Sequence, residues 1–202
     1  MKYFGMPMGM WAIFKGSFQK NLCSVFGYDK AAAKAIIKNA KPKYREIIGG
    51  IPEFEKGDRF KMNIVNCAML CAVIISMPQR PDRERLTEYY AKSMMTPAMR
   101  WFCRKSGKAK FTAKDIAAMK AAAKLKAADR NPYSWNMDFY EYPDKSGYEA
   151  RFSKCGICAL MQKLGLYDLT PAMCRLDYTM SEAGGTADFV REYTIASGGP
   201  YC

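Results

Sequence analysis

Residues 62 to 77 read MNIVNCAMLCAVIISM, an uncharged run whose polar side chains are two asparagines and one serine. A bilayer span needs ~18 or more such residues, so this run is too short to cross a membrane and too apolar to face water. It must be wrapped by the rest of the chain. The expectation is a buried helix over 59–77, opened at Asp58 or its neighbours and ended by the polar, twice-proline loop MPQRPDRERL. A chain of 202 residues, half of them hydrophobic, is long enough to form that wrapping as a single domain over residues 1–202.

Helical periodicity supplies the shell. Trp11, Phe14, Phe18 and Leu22 recur at three- and four-residue spacing and predict a helix over 10–28. Asp29 is a fitting N-cap for an amphipathic helix that reaches Ile48 and stops at Gly49-Gly50, with Pro42 expected to kink or break it near Ala40. A helix over 82–104 is expected to bring Tyr89, Tyr90, Met94, Met95, Met99 and Trp101 into the core, bent or split at Pro97. Thr112 caps the Ala/Lys-rich helix of 113–128, and Asp115 in its first turn suits the helix dipole.

The texture changes at Asn131-Pro132. SWNMDFYEY (134–142) and YEARFSKC (148–155) alternate with period two around the turn PDKSG, predicting a β-hairpin. A helix over 156–164 follows. Thr170 is then read as an N-cap, with Pro171 at the first helical position and Gly184-Gly185 as the stop. DFVREYTIA (188–196) is expected to be a last strand. The fold class is therefore α+β: a mainly helical part over 1–130, then β-β-α-α-β over 131–202, its small antiparallel sheet packed on helices.

Charge and cysteine usage narrow the function. The formal net charge is +13, and residues 1–130 hold 26 Lys+Arg against 10 Asp+Glu. Most of these lysines fall opposite apolar stripes, as on solvated helix faces, so nucleic-acid binding is not expected despite the basic balance. An anionic small molecule fits the same potential. The eight cysteines are scattered without the dense spacing of a secreted disulfide scaffold, and the N-terminal segment lacks a signal-peptide core, so free thiols in the cytoplasm and no membrane association are expected.

Four of those cysteines fall in the last 48 residues. Cys155 and Cys158 form a CxxC at a strand-to-helix junction. Cys174, Asp177 and Tyr178 share one helix face at i, i+3 and i+4, and Cys202 follows. Three chemistries are compatible with this pattern. Thiolates with a carboxylate can hold zinc or iron, with Cys155, Cys158, Cys174 and Cys202 as ligands, although the chain contains no histidine to complete the usual mixed sets. A CxxC opening a helix can act as a redox dithiol. A cysteine at a helix N-terminus can be a nucleophile, its thiolate stabilised by the helix dipole, and Cys155 suits that role best. Cys23, Cys67, Cys71 and Cys103 lie in apolar helical settings and read as core. Gly198-Gly199 could present backbone N–H groups to an anion, and Arg151 or Arg191 could hold a carboxylate by paired hydrogen bonds.

The order KCGIC, PAMCRLDY, REYTIASGGPYC, concentrated in residues 151–202, resembles the L-2-amino-thiazoline-4-carboxylic acid hydrolase family. The resemblance implies a bacterial, cytoplasmic hydrolase that opens a cyclic amidine thioether to an N-carbamoyl amino acid, cutting a non-peptide C–N or C–S bond. The matching positions are Cys155, Cys174, Asp177, Gly198, Gly199 and Cys202. Under that reading Cys155 attacks or holds the amidine carbon, with Cys174 and Cys202 beside it, and Asp177 manages protons or orients water. Tyr178, Arg151, Arg191 and the Gly198-Gly199 amides bind substrate. No cofactor is expected, with zinc or iron as the alternative, and a homo-oligomer is compatible with the chain. The competing class is a ligand-binding or sensory domain with structural or metal-bound cysteines and a pocket lined by the methionines and aromatics of 89–101.

Overall fold

A computed structural model describes residues 1–185 and 188–202. Its elements in order are α1 (Met6–Phe26), α2 (Lys30–Gly49), α3 (Lys61–Ser76), α4 (Arg83–Met94), α5 (Pro97–Gly107), α6 (Ala113–Ala127), β1 (Asp138–Glu141), β2 (Tyr148–Arg151), α7 (Gly156–Lys163) and α8 (Thr170–Gly184). Single turns of 3-10 helix occupy Tyr167–Leu169 and Ile195–Ser197. The architecture is α+β, and none of the described helices is long and apolar enough to cross a membrane.

The apolar run is α3, and every residue from Ile64 to Ile74 is buried. Helices α1, α2 and α7 pack around it, while α4 packs on α1 and α8, and α5 on α8. Each fully buried Val, Leu, Ile or Met side chain contributes roughly 1.5–3 kcal/mol relative to exposure, so this one helix anchors a large share of the core. Trp11, Phe14, Phe18 and Leu22 of α1 face inward as their spacing requires.

Proline decides two features in opposite ways. α2 continues through Pro42, because the buried stripe of Ile36, Ile37, Ala40, Tyr44 and Ile48 runs past it unbroken while Pro42 itself is exposed. The residue whose carbonyl loses its N–H partner to Pro42 is Lys38, which is exposed. Asp29 caps this helix, its carboxylate accepting the Ala32 N–H at 2.7 Å. At Pro97 the chain does split: Thr96 caps α5 by accepting the Met99 N–H at 3.3 Å, and Pro97 takes the first helical position. The split reorients α5, so Cys103 points inward and Trp101, expected in the core, is 62% exposed beneath Lys105.

The hairpin is shorter than its alternation suggests. β1 and β2 pair antiparallel with Phe139 opposite Ala150 and Tyr140 opposite Glu149. Before β1, Ser134, Trp135 and Met137 are buried in an irregular segment. There Asn136 replaces the ladder by accepting the Lys154 N–H at 2.7 Å. The strand expected over 188–196 is not formed: Phe189 and Arg191 contact α8 through their side chains, and the Phe152 backbone that continues β2 is taken by a residue beyond that segment. Strand-like pairing occurs instead at Cys202, which exchanges two 2.9 Å backbone hydrogen bonds with Phe152. Thr170 is the first residue of α8 rather than its N-cap, because the 3-10 turn carries helical backbone up to it and Leu169 takes the cap position.

One lysine departs from the solvated pattern of α6. Lys126 is 6% exposed and its ammonium pairs with Asp58 and with Asp129 at 2.7 Å, while donating to Ser134 at 2.6 Å. This network ties α6 to the segment entering α3 and to the start of the C-terminal part. Burial by itself would raise the Asp129 carboxyl, but the Lys126 ammonium, the Ser134 hydroxyl and the Asn131 amide together hold it down to about 2. Lys126→Met should cost ~3–5 kcal/mol in denaturant unfolding, because Asp58 is left buried without its counter-charge. The folded-state value of Asp129 lies below its unfolded value of ~3.9, so its contribution is complete above that pH and is lost as pH falls toward 2. Unfolding series at pH 6 and pH 3 should show that loss in the wild type and a smaller one in Asp129→Asn.

Candidate active site

The site forms where α7 begins, and a glycine makes the junction. A Cβ on Gly156 would stand 1.9 Å from the Tyr133 carbonyl oxygen, so only glycine lets the 133–135 backbone lie against the first turn of α7. That approach carries Trp135 to Cys155. Lys154 fixes the same seam, its ammonium donating to the Asn131 carbonyl at 2.6 Å. Cys155 occupies the N-cap position of α7, in extended backbone, and is partly buried.

The thiols there divide into one that ionises readily and several that do not. The Cys158 thiol first, then the amides of Cys158 and Ile157 and the Trp135 indole, favour the Cys155 thiolate over the opposing effect of burial and hold Cys155 down to about 7. Helix amides at an N-terminus act in this way on any anion. Cys158 is pushed far up, by Cys155 above all and then by burial. Burial, and then the charge of Cys202, push Cys174 up to about 12. Burial also raises Cys202, although its sulfur accepts the Ile195 N–H at 3.2 Å. Charges on Cys155, Cys174 and Cys202 all raise Cys158, so the four thiols of the C-terminal third form one electrostatic group. Of these four thiols Cys155 is the one that ionises at the lowest pH.

Beside them an ion pair spans α8 and the C-terminal segment. Arg191 donates to Asp177 at 2.6 Å and to the Cys174 carbonyl at 3.2 Å, and its guanidinium lies over the Phe189 ring at 4.8 Å. The Arg191 side chain is 14% exposed and that of Asp177 52% exposed. Cys174, Tyr178 and Arg191 line an open cleft of about 860 Å³ between α4, α8 and the C-terminal segment. Cys174 and Tyr178 thus share the cleft wall, as their i, i+4 spacing requires, while Asp177 is not among the lining residues and is tied to it through Arg191.

Other expected residues stand elsewhere. Arg151 is engaged by Glu149 and sandwiched by the Tyr140 and Tyr201 rings at 5.2 and 5.0 Å, on the exposed hairpin. The anion nest expected at Gly198-Gly199 is not formed: both amides are spent inside the turn, Gly198 on the Ile195 carbonyl at 3.0 Å and Gly199 on the Thr194 carbonyl at 2.9 Å. Gly198 is needed for a different reason, a left-handed φ of 83°. Among the described residues no three Cys, Asp or Glu side chains are grouped so as to hold a metal ion. Of the methionines and aromatics of 89–101 named by the competing reading, Tyr89, Tyr90, Met94 and Met95 are buried and Trp101 is exposed.

Two contributors escape a sequence reading. Trp135 sits in a segment that alternates like a strand, and nothing local signals that its indole turns to a thiol. Behind Cys155 and Cys158 lies a buried sulfur line, Cys67 to Cys71 at 3.9 Å and Cys71 to the Met161 sulfur at 3.2 Å. Charges on Cys155 and Cys158 reach Cys67, after the dominant effects of Cys71 and burial. The i, i+4 spacing of Cys67 and Cys71 places both on one face of α3, which is the available clue.

Removing the largest influence on Cys155 should be visible as chemistry. In Cys158→Ala the pH midpoint for alkylation of Cys155 by iodoacetamide should move from about 7 toward the ordinary thiol value of ~8.5, followed by peptide mass spectrometry. An unmoved midpoint would show that the amides and the indole suffice without Cys158.

No curated protein and no solved structure matches the chain. The sequence model of one protein family does, over residues 62–202, which includes the central helix and every thiol of the group just described. The chain therefore belongs to the L-2-amino-thiazoline-4-carboxylic acid hydrolase family.

Proposed function

We propose that the chain hydrolyses a small cyclic amidine carboxylate of the 2-amino-thiazoline type, with Cys155 as nucleophile. The observation that supports this reading is the division among the thiols: one ionised near neutral pH at a helix N-terminus, its neighbours protonated. A nucleophile and an acid are thereby both present without histidine.

In the proposed reaction the Cys155 sulfur adds to the amidine carbon, forming a C–S bond while the C=N electron pair moves to nitrogen. The tetrahedral adduct collapses by re-forming the C=N bond and breaking the ring C–S bond, and the departing sulfur takes a proton from the Cys174 thiol. Water then adds to the same carbon, one of its protons passing to the C=N nitrogen and the other to Asp177, and Cys155 leaves as thiolate as the C=O forms, so one water is consumed and an N-carbamoyl amino acid with a free thiol is released. The Asp177 oxygen not occupied by Arg191 orients that water and accepts its proton, which returns to Cys174. Arg191, rather than Arg151, holds the substrate carboxylate, because both are paired with a carboxylate but Arg191 lines the cleft and Arg151 stands on the hairpin.

Cys155→Ser should lower kcat for 2-amino-thiazoline-4-carboxylate by about 10³-fold or more while leaving the melting temperature unchanged, since only the nucleophile is lost. Retained turnover would remove the covalent step. For the wild type, kcat/KM should rise with pH and level off around pH 7, because activity follows the thiolate fraction of Cys155, which falls tenfold per unit below that point.

A further inference from the structure

The cleft that reaches Cys174 and Arg191 is larger and more basic than a thiazoline carboxylate requires. Such a substrate has about nine non-hydrogen atoms and one negative charge, whereas a cleft of about 860 Å³ lies in the range that accommodates drug-sized molecules. Four guanidinium residues line it, Arg83 and Arg85 from α4, Arg175 from α8 and Arg191, against the carboxylates of Glu84 and Glu88.

These six are not equivalent. Arg85 is committed to the Val25 carbonyl at 2.6 Å and to the Phe26 ring, and Arg191, steadied by Asp177, is the group assigned to the carboxylate of the reacting end. Glu88 is neutralised by Lys92 at 2.5 Å. Arg83 and Arg175 are exposed, and neither has a carboxylate partner among the described residues; Arg175 is held over the Tyr178 ring at 4.8 Å, which restrains its guanidinium beside the cleft. Two open guanidiniums therefore line the cleft with the single open carboxylate of Glu84, and with Arg175 and Arg191 both lying over the Tyr178 ring, at 4.8 and 5.8 Å, the open pair offers a second position for an anion beside Arg191. A planar fork of this kind recognises a carboxylate through two parallel hydrogen bonds.

From this we infer that the substrate is a dicarboxylate: a cyclic amidine acid whose second carboxylate is held by Arg83 and Arg175. The inference rests on the hydrolase reading for the identity of the reacting end, but the second carboxylate is recognised by residues that take no part in the reaction.

N-carbamoyl-L-glutamate and its isosteric monoanion N-carbamoyl-L-glutamine, both carrying the carbamoyl group of the expected product, separate the two questions by isothermal titration calorimetry. The dianion should bind the wild type at least tenfold more tightly, a preference that shrinks as salt is raised. In an Arg83→Ala/Arg175→Ala double variant the preference should fall below about twofold with the monoanion's affinity unchanged; both arginines are exposed, and equal melting temperatures would show the fold intact. A ratio near one in the wild type, a preference that survives the double substitution, or no binding of either compound at millimolar concentration would overturn the inference. Turnover of 2-amino-thiazoline-4-carboxylate by the wild type is scored separately. Turnover with a binding ratio near one leaves the hydrolase and removes the dicarboxylate, whereas a tenfold ratio without turnover removes the hydrolase and leaves the dianion site.

Discussion

The structure depends on covering α3. Eleven consecutive buried positions leave it no face for solvent, so α1, α2 and α7 must pack around it, and α4 and α8 close the layer beyond. The consequence reaches the chemistry. Because α7 is one of the covering helices, its first turn is held against a rigid interior, and the thiol at its N-cap position inherits a fixed surround. Met161 on α7 meets Cys71 on α3, so the contact that seats the helix also sets the depth of Cys155.

The electrostatics of the thiols follow from that placement. Burial raises a thiol, and it raises Cys174 and Cys202 in the ordinary way. Cys155 is also partly buried but moves the other way, because donors surround it: a neighbouring thiol, two helix amides and an indole. Concentrating the charge on one sulfur in turn makes ionisation of its neighbours harder. A single geometric arrangement thus produces both the anion and the proton donors, in a chain that has no imidazole to supply either.

Arginine pairing organises the cleft next to it. Arg191 holds Asp177 and the Cys174 carbonyl together and thereby draws the segment after α8 back across that helix. The backbone of Phe152, which follows β2, pairs with Cys202 at the far end of the same segment, so residues 188–196 are not the ones that extend the sheet.

Much was legible in the sequence wherever the cause is local. The helix period, the Asp29 and Thr112 caps, the central apolar helix and the shared face of Cys174, Asp177 and Tyr178 depend on neighbours within a few residues. The sequence by itself also determined that Cys155 opens a helix, since the apolar spacing after it is helical. What only the tertiary structure decided were the outcomes set by partners distant in the chain. Pro42 is accommodated because its helix packs on α3, Trp101 is exposed because α5 turns at Thr96, and Lys126 is buried because Asp58 lies 68 residues away to receive it. The same holds for the site: Arg151 and Arg191 are both arginines near cysteines in sequence, and only the positions of Glu149 and Asp177 separate the one on the hairpin surface from the one in the cleft. Periodicity fixes which face a residue occupies, whereas the energy of a buried charge or thiol depends on what lies opposite that face, and that is a property of the folded chain.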